Sequence, residues 1–246
     1  MVEVLQKKLS DSKGARWTVL ILVSFTMLCA YFLTDVMSPL KNMLESQLGW
    51  SSTNYGTFTS AYGWFNVFLL MLIIGGIILD KMGVRFTGLM SCIVMIAGCF
   101  LKYYAVAYMV GAEGTIMGIP TQVFYACLGY AIFGVGVETA GITVSKIIVR
   151  WFKGKEMALA MGMEMACARI GTGLALGITP LIAVHFASVS APILLALILL
   201  CVGLIAFLVF IVMDKKLDAS IDASDEEAEE PFKIKDIGLI VTNKGF

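Results

Sequence analysis

Charge is scarce in this sequence. Only 15% of its 246 residues are charged, eighteen of each sign, and there is a single histidine. A soluble domain carries about 25% charged residues; here 59% of the chain is hydrophobic and the mean hydropathy is +0.88. A water-soluble globular fold is therefore excluded, and a membrane protein is expected. There is no basic patch interleaved with aromatics, which argues against nucleic acid as a partner. The six cysteines all fall in apolar stretches without CxxC spacing, so neither a disulfide framework nor a zinc site is expected. No HExxH occurs, and His185 has no serine nucleophile motif to serve, which disfavours an intramembrane enzyme. A TVGYG-like filter and a regular arginine series are also missing, which disfavours a channel. No ATP-binding motif is found, and no cofactor or metal is expected.

Long apolar runs are what the chain does have. At about 20 residues per crossing, six spans are expected: roughly 17–38, 55–79, 84–106, 121–149, 157–183 and 191–213. Fourteen basic residues lie in the segments on the side of the N-terminus, against Lys41 and Lys102 on the other. Cytoplasmic segments carry the basic excess, so both termini are expected in the cytoplasm. Trp17, Trp50 and Trp151 fall near the expected interfaces, where amphipathic rings are favoured. The organisation reads as a cytoplasmic segment 1–16, a six-helix bundle 17–213, and an acidic linker 214–246. The linker's end turns apolar again as a seventh span would begin, so the chain reads as the front half of something larger.

Polarity is ordered along the spans. The third and sixth are nearly free of hydrogen-bonding side chains and are expected to face lipid. The first, second, fourth and fifth carry polar residues that lipid would penalise. The order polar, polar, apolar thus occurs twice, as three plus three inverted repeats of a transporter half would show.

Between spans two and three stands GGIILDKMGVRFTG, residues 75–88. A tight turn accounts for its glycines, and basic residues suit a helix C-terminus. Asp80 is at the wrong end of a helix macrodipole and needs a partner, for which Arg85, Arg150 and a helix N-terminus of a second half are candidates. This stretch resembles the loop signature of the major facilitator superfamily, in that family's own position. The resemblance implies an all-helical membrane fold, of which this chain would be the N-terminal six-helix half. It also implies a conformational latch formed by Gly76, Asp80, Gly83 and Arg85, with Arg150 beside it. The glycines of GTGLALGITP, Gly173 and Gly177, only loosely echo the superfamily's antiporter pattern and read as helix-packing positions.

Two charges stand near the middle of the bilayer. Glu138 lies about 18 Å along the fourth span from Arg150, and Arg169 lies about 21 Å along the fifth from Lys155. Full charges at that depth are costly and mark a pathway, a site or a buried pair. Gly134, Glu138, Gly141 and Ser145 share one stripe of span four; Gly162, Arg169 and Gly173 share one of span five, and small residues beside a long one leave volume. One reading is a structural pair between Glu138 and Arg169. The other is a zwitterion site, in which Arg169 forks a carboxylate and Glu138 holds an ammonium. Glu164, five residues before Arg169, points elsewhere, towards Lys146.

The stretch from Trp151 to Gly171, with its WFKGKE loop and ARIG, resembles the branch of the superfamily that holds the lysosomal dipeptide transporter and its bacterial relatives. That resemblance implies that a glutamate on span four and an arginine on span five recognise the two ends of a dipeptide, here Glu138 and Arg169. Tyr31, Tyr62 and Asn66 are further candidates for the substrate cavity, and Asp35 for proton coupling. The expected protein is a multi-pass transporter of the plasma (inner) membrane. Its cargo would be small zwitterions such as dipeptides, moved by alternating access with a second six-helix half. Rival readings are an organic-anion transporter using Arg169 alone and a non-transporting half-size scaffold.

Overall fold

A computed structural model of the chain describes residues 9–220. The acidic stretch beyond Ser220 and the first eight residues, with the basic residues counted there, lie outside the described part. In chain order there follow a 3-10 turn Leu9–Asp11, α1 Lys13–Asp35, a second 3-10 turn Ser38–Leu40, α2 Lys41–Leu48, α3 Ser52–Ala61, α4 Trp64–Phe68 and α5 Met71–Tyr108. A two-stranded antiparallel hairpin, β1 Thr115–Ile116 and β2 Ile119–Pro120, leads into α6 Thr121–Phe152, α7 Met157–His185 and α8 Ser190–Asp218.

Among the described residues, five segments are long and apolar enough to cross a membrane: the α1–α2 run, α5, α6, α7 and α8. The remaining expected crossing, 55–79, is not one helix. It is divided among α3, α4 and the first limb of α5, with breaks around Gly63 and at Leu70, whose φ of +51° is left-handed. Such irregular backbone is tolerated at membrane depth only where protein or a cavity covers it. Within α5, Gly83 at φ +78° and ψ 171° parts the first limb from the third expected span. Only glycine takes that conformation without strain.

Local chemistry sets the helix starts. Ser12 caps α1 by accepting from the Ala15 amide, and Ser51 caps α3 through the Asn54 amide, each satisfying an orphan donor. The segment after the first span, expected as a loop, is helical through α2. At the other end, α8 runs five residues past the expected span to Asp218.

Packing follows close backbone approaches. The α5 helix lies mainly against α6, and α1 against α7 and α8. A Cβ on Gly171 would sit 2.3 Å from the Leu28 carbonyl oxygen, so α7 meets α1 backbone to backbone. The buried stripe of α7, Ala160, Glu164, Ala168, Gly171, Ala175 and Thr179, is small except for Glu164, the small-residue interface that membrane helices use in place of a hydrophobic drive. Two of the tryptophans expected at interfaces are interior. Trp50 is buried with its indole N–H donating to Gln122 Oε1 at 3.2 Å, and Trp151 is buried with its N–H on Asp214 Oδ1 at 3.0 Å. Each side chain found a partner inside the bundle, which a lipid headgroup would otherwise supply.

Candidate functional site

The broken crossing brings Tyr62 to α6. At Gly134 an added Cβ would be 2.3 Å from the Tyr62 carbonyl oxygen, so only glycine lets this backbone approach. The volume expected beside Glu138 at Gly134 is therefore filled. In return, the Tyr62 hydroxyl reaches Glu138 Oε1 and donates to it at 2.7 Å. The Tyr62 ring leans on Tyr130 with centroids 5.4 Å apart. Glu138 is half-buried and held by a neutral donor.

Arg169 stands on the exposed side of α7, with its guanidinium carbon 5.5 Å from the centroid of the Tyr31 ring on α1. Among the described residues no carboxylate pairs with it. Glu138 and Arg169 are thus not a mutual ion pair, and each keeps its charge for another partner. Around Arg169 the helix surface is open: nothing lies within 4 Å of a Cβ placed at Gly162, Gly173 or Gly177. Gly173 and Gly177 do not serve packing within the described chain, which corrects that expectation; Gly171 is the packing glycine.

Asn66 belongs to the same region. Both polar atoms of its amide are buried without a hydrogen-bond partner, a costly state that a ligand or water relieves. Asp35, at the end of α1, accepts from the Ser38 hydroxyl at 3.4 Å. Glu164 is 7% exposed and faces α1 in the small-residue stripe. The partner expected for it is engaged elsewhere: Lys146 Nζ lies 3.1 Å from Asp80 Oδ1.

That contact also answers the question of Asp80. Its partner is Lys146, one helix away, and neither Arg85 nor Arg150. Those two arginines converge on α8 instead. Arg85 Nε and Arg150 Nη1 each lie 2.9 Å from Asp214 Oδ2, and both guanidinium groups also contact Asp218. With Trp151 on its second oxygen, Asp214 is fully buried. One carboxylate thus ties α5, just past Gly83, to the C-terminal ends of α6 and α8. A second knot holds the N-terminal turn: Arg16 donates to the Ser10 and Asp11 carbonyls at 2.8 and 3.1 Å and pairs with Glu156 at 3.3 Å, and Lys155 contacts Asp11.

Asp214 and Asp218 fall just past an apolar run, within the stretch 214–246 that the sequence assigns to the linker, yet both belong to α8. Their spacing of four, directly after a span, is the signal: both lie on one helix face. Lys102, counted above with the basic residues of the outer side, sits inside α5 and is fully buried.

The sequence of residues 9–246 matches the Major Facilitator Superfamily. The "Lysosomal dipeptide transporter MFSD1" of Mus musculus is 30% identical over 158 residues, which cover 64% of this chain and 31% of that protein. The protein of the same name from Homo sapiens is 28% identical over the same shares. "Probable anion transporter 2, chloroplastic" of Oryza sativa subsp. japonica is 28% identical over 69% of this chain and 29% of its own length. The chain therefore spans less than a third of the length of these curated relatives. Among solved structures, tetrameric PepTSo2 superposes with a TM-score of 0.57 at 18% identity, covering 92% of this chain and 46% of that one. That likeness is one of fold.

Proposed function

The chain belongs to the major facilitator superfamily, and on that premise we propose that it supplies the substrate-binding half of a transporter for small zwitterions, dipeptides foremost. Its relatives are transporters, and the helices are those of a multi-pass membrane protein. The observation that carries the reading is the state of the two mid-membrane charges. Glu138 is oriented by Tyr62, and Arg169 lies over Tyr31 without an acidic partner. The two are unpaired with each other and stand ready for opposite ends of one solute.

In this reading Arg169 forks the substrate carboxylate, where a planar guanidinium gives two parallel hydrogen bonds. Glu138 receives the ammonium. Tyr31 and Tyr62 flank the charges, and the unpaired amide of Asn66 takes a polar group of the solute's backbone. Asp35 remains the candidate for proton coupling. Alternating access would bring a second six-helix half over the open face of α7. Gly76, Asp80, Gly83, Arg85 and Arg150 would form the latch at the cytoplasmic side, with both termini in the cytoplasm and the protein in the plasma (inner) membrane.

Uptake of labelled dipeptides into proteoliposomes by the protein carrying this chain tests the proposal. Glu138→Gln and Arg169→Ala are expected to abolish saturable uptake; retained transport in both variants overturns the site. A second reading, an organic-anion carrier resting on Arg169 alone, draws on two observations. Glu138 is already hydrogen-bonded, and rice relatives are named anion transporters. Under that reading Glu138→Gln leaves transport of a simple organic anion intact, while Arg169→Ala removes it.

A further inference from the structure

A cation sits where the site has no use for one. Lys102 of α5 is fully buried and forms no ion pair among the described residues. Its ammonium nitrogen lies 4.7 Å from the centroid of the Tyr130 ring, 5.7 Å from that of Phe133 and 5.9 Å from that of Phe58. It also donates to the Leu33 carbonyl at 3.4 Å. The Tyr130 hydroxyl donates to the next carbonyl, that of Thr34, at 2.7 Å.

Leu33 and Thr34 lie in the last turn of α1, at the negative end of its dipole; the Leu33 carbonyl also accepts from the Val36 amide at 3.4 Å, so Lys102 shares that acceptor with the backbone. A buried ammonium against aromatic faces at that point is satisfied on every side: by the carbonyl, by the dipole and by ring quadrupoles. Lys102 and Tyr130 therefore act as a cap for α1 supplied by two other helices.

The cap touches both poles of the candidate site. Through Tyr130 it reaches the Tyr62 ring, and Tyr62 holds Glu138. Through the last turn of α1 it reaches Tyr31, two residues before Leu33, and Tyr31 lies under Arg169. We infer that Lys102 is a positioning residue that, with Tyr130, sets the separation between Glu138 and Arg169, and with it the length of solute the site accepts. This rests on the zwitterion reading above for its functional consequence, but not for its geometry. One residue more or less in an extended peptide shifts its ends by about 3.5 Å, so a loosened cap blurs the distinction between two residues and three.

The test compares Lys102→Met, which keeps bulk without charge, with Lys102→Arg, which keeps the cation. Single amino acids, dipeptides and tripeptides are assayed in proteoliposomes with the protein carrying this chain. Lys102→Met is expected to raise the dipeptide KM about tenfold with Vmax within about twofold, and to flatten the preference for dipeptide over tripeptide. Lys102→Arg restores both. Equal loss of Vmax for every solute, with the preference unchanged, overturns the inference in favour of a purely structural lysine.

A second measurement needs no substrate. Spin labels at Asn42, at the start of α2, and at Met117, in the hairpin before α6, are introduced with Cys167 and Cys201, the cysteines that are not buried, replaced by serine. The distance distribution is expected to broaden in Lys102→Met and to sharpen again in Lys102→Arg; an unchanged distribution overturns the inference. If wild-type protein takes up no peptide but the distances broaden, the zwitterion reading fails and the positioning role of Lys102 stands.

Discussion

The Tyr62 hydroxyl donates to Glu138 Oε1 at 2.7 Å across the gap between a broken crossing and an intact helix. A hydrogen bond to a charged group contributes about 1.5–3 kcal/mol, so Tyr62→Phe is expected to raise KM for a zwitterionic solute about tenfold. The Vmax should change little, because the charge itself remains. Peptide uptake kinetics decide it; an unaltered KM separates Tyr62 from the site.

Arg169 pairs a planar cation with the Tyr31 ring. Lysine keeps the charge but neither the fork nor the stacking surface. Arg169→Lys should therefore weaken binding about tenfold and Arg169→Ala about a hundredfold. Equal activity of the lysine variant and wild type, measured by uptake, would reduce Arg169 to a point charge.

Asp214 and Asp80 carry the same charge in unlike surroundings. Asp214 is fully enclosed by two arginines and a tryptophan, whereas the Asp80 side chain is 40% exposed beside Lys146. Removing one partner of a buried ion cluster leaves the others uncompensated and costs about 3 kcal/mol or more. An exposed pair contributes about 0–1 kcal/mol. Thermal unfolding in detergent should show Asp214→Asn strongly destabilised and Asp80→Asn near wild type.

Gly83 and Gly76 are separated in the same way by backbone. At φ +78° Gly83 holds a conformation that side chains resist, while nothing crowds a Cβ at Gly76. Gly83→Ala is expected to lower stability by about 1–3 kcal/mol and Gly76→Ala to leave the melting temperature unchanged. A melting curve of each variant is sufficient.

Much of the architecture was legible because lipid leaves few choices. Runs of apolar residues predicted the crossings, and Glu138 and Arg169 stood out because full charges are expensive there. The crossing through 55–79 was misread as continuous, since the cause of its break lies elsewhere: Gly134, seventy residues on, admits the Tyr62 carbonyl. Asp80 was recognised as needing a partner, but Lys146 could not be chosen over Arg85 and Arg150 from spacing along one helix. Lys102 counts with the outer side in the sequence, because a lysine near a span end ordinarily reaches for water; here three rings and a helix end hold it inside.

Hydropathy and charge placement along the chain were sufficient by themselves for a helical membrane bundle and for singling out Glu138 and Arg169 within it, because the cost of burying polar groups in lipid acts residue by residue. The separate partners of those charges, the interior roles of Lys102, Trp50 and Trp151, and the knot on Asp214 were decided only by tertiary structure. Each depends on which helix faces meet, and that is settled by close backbone approaches at residues such as Gly134 and Gly171 rather than by any local preference.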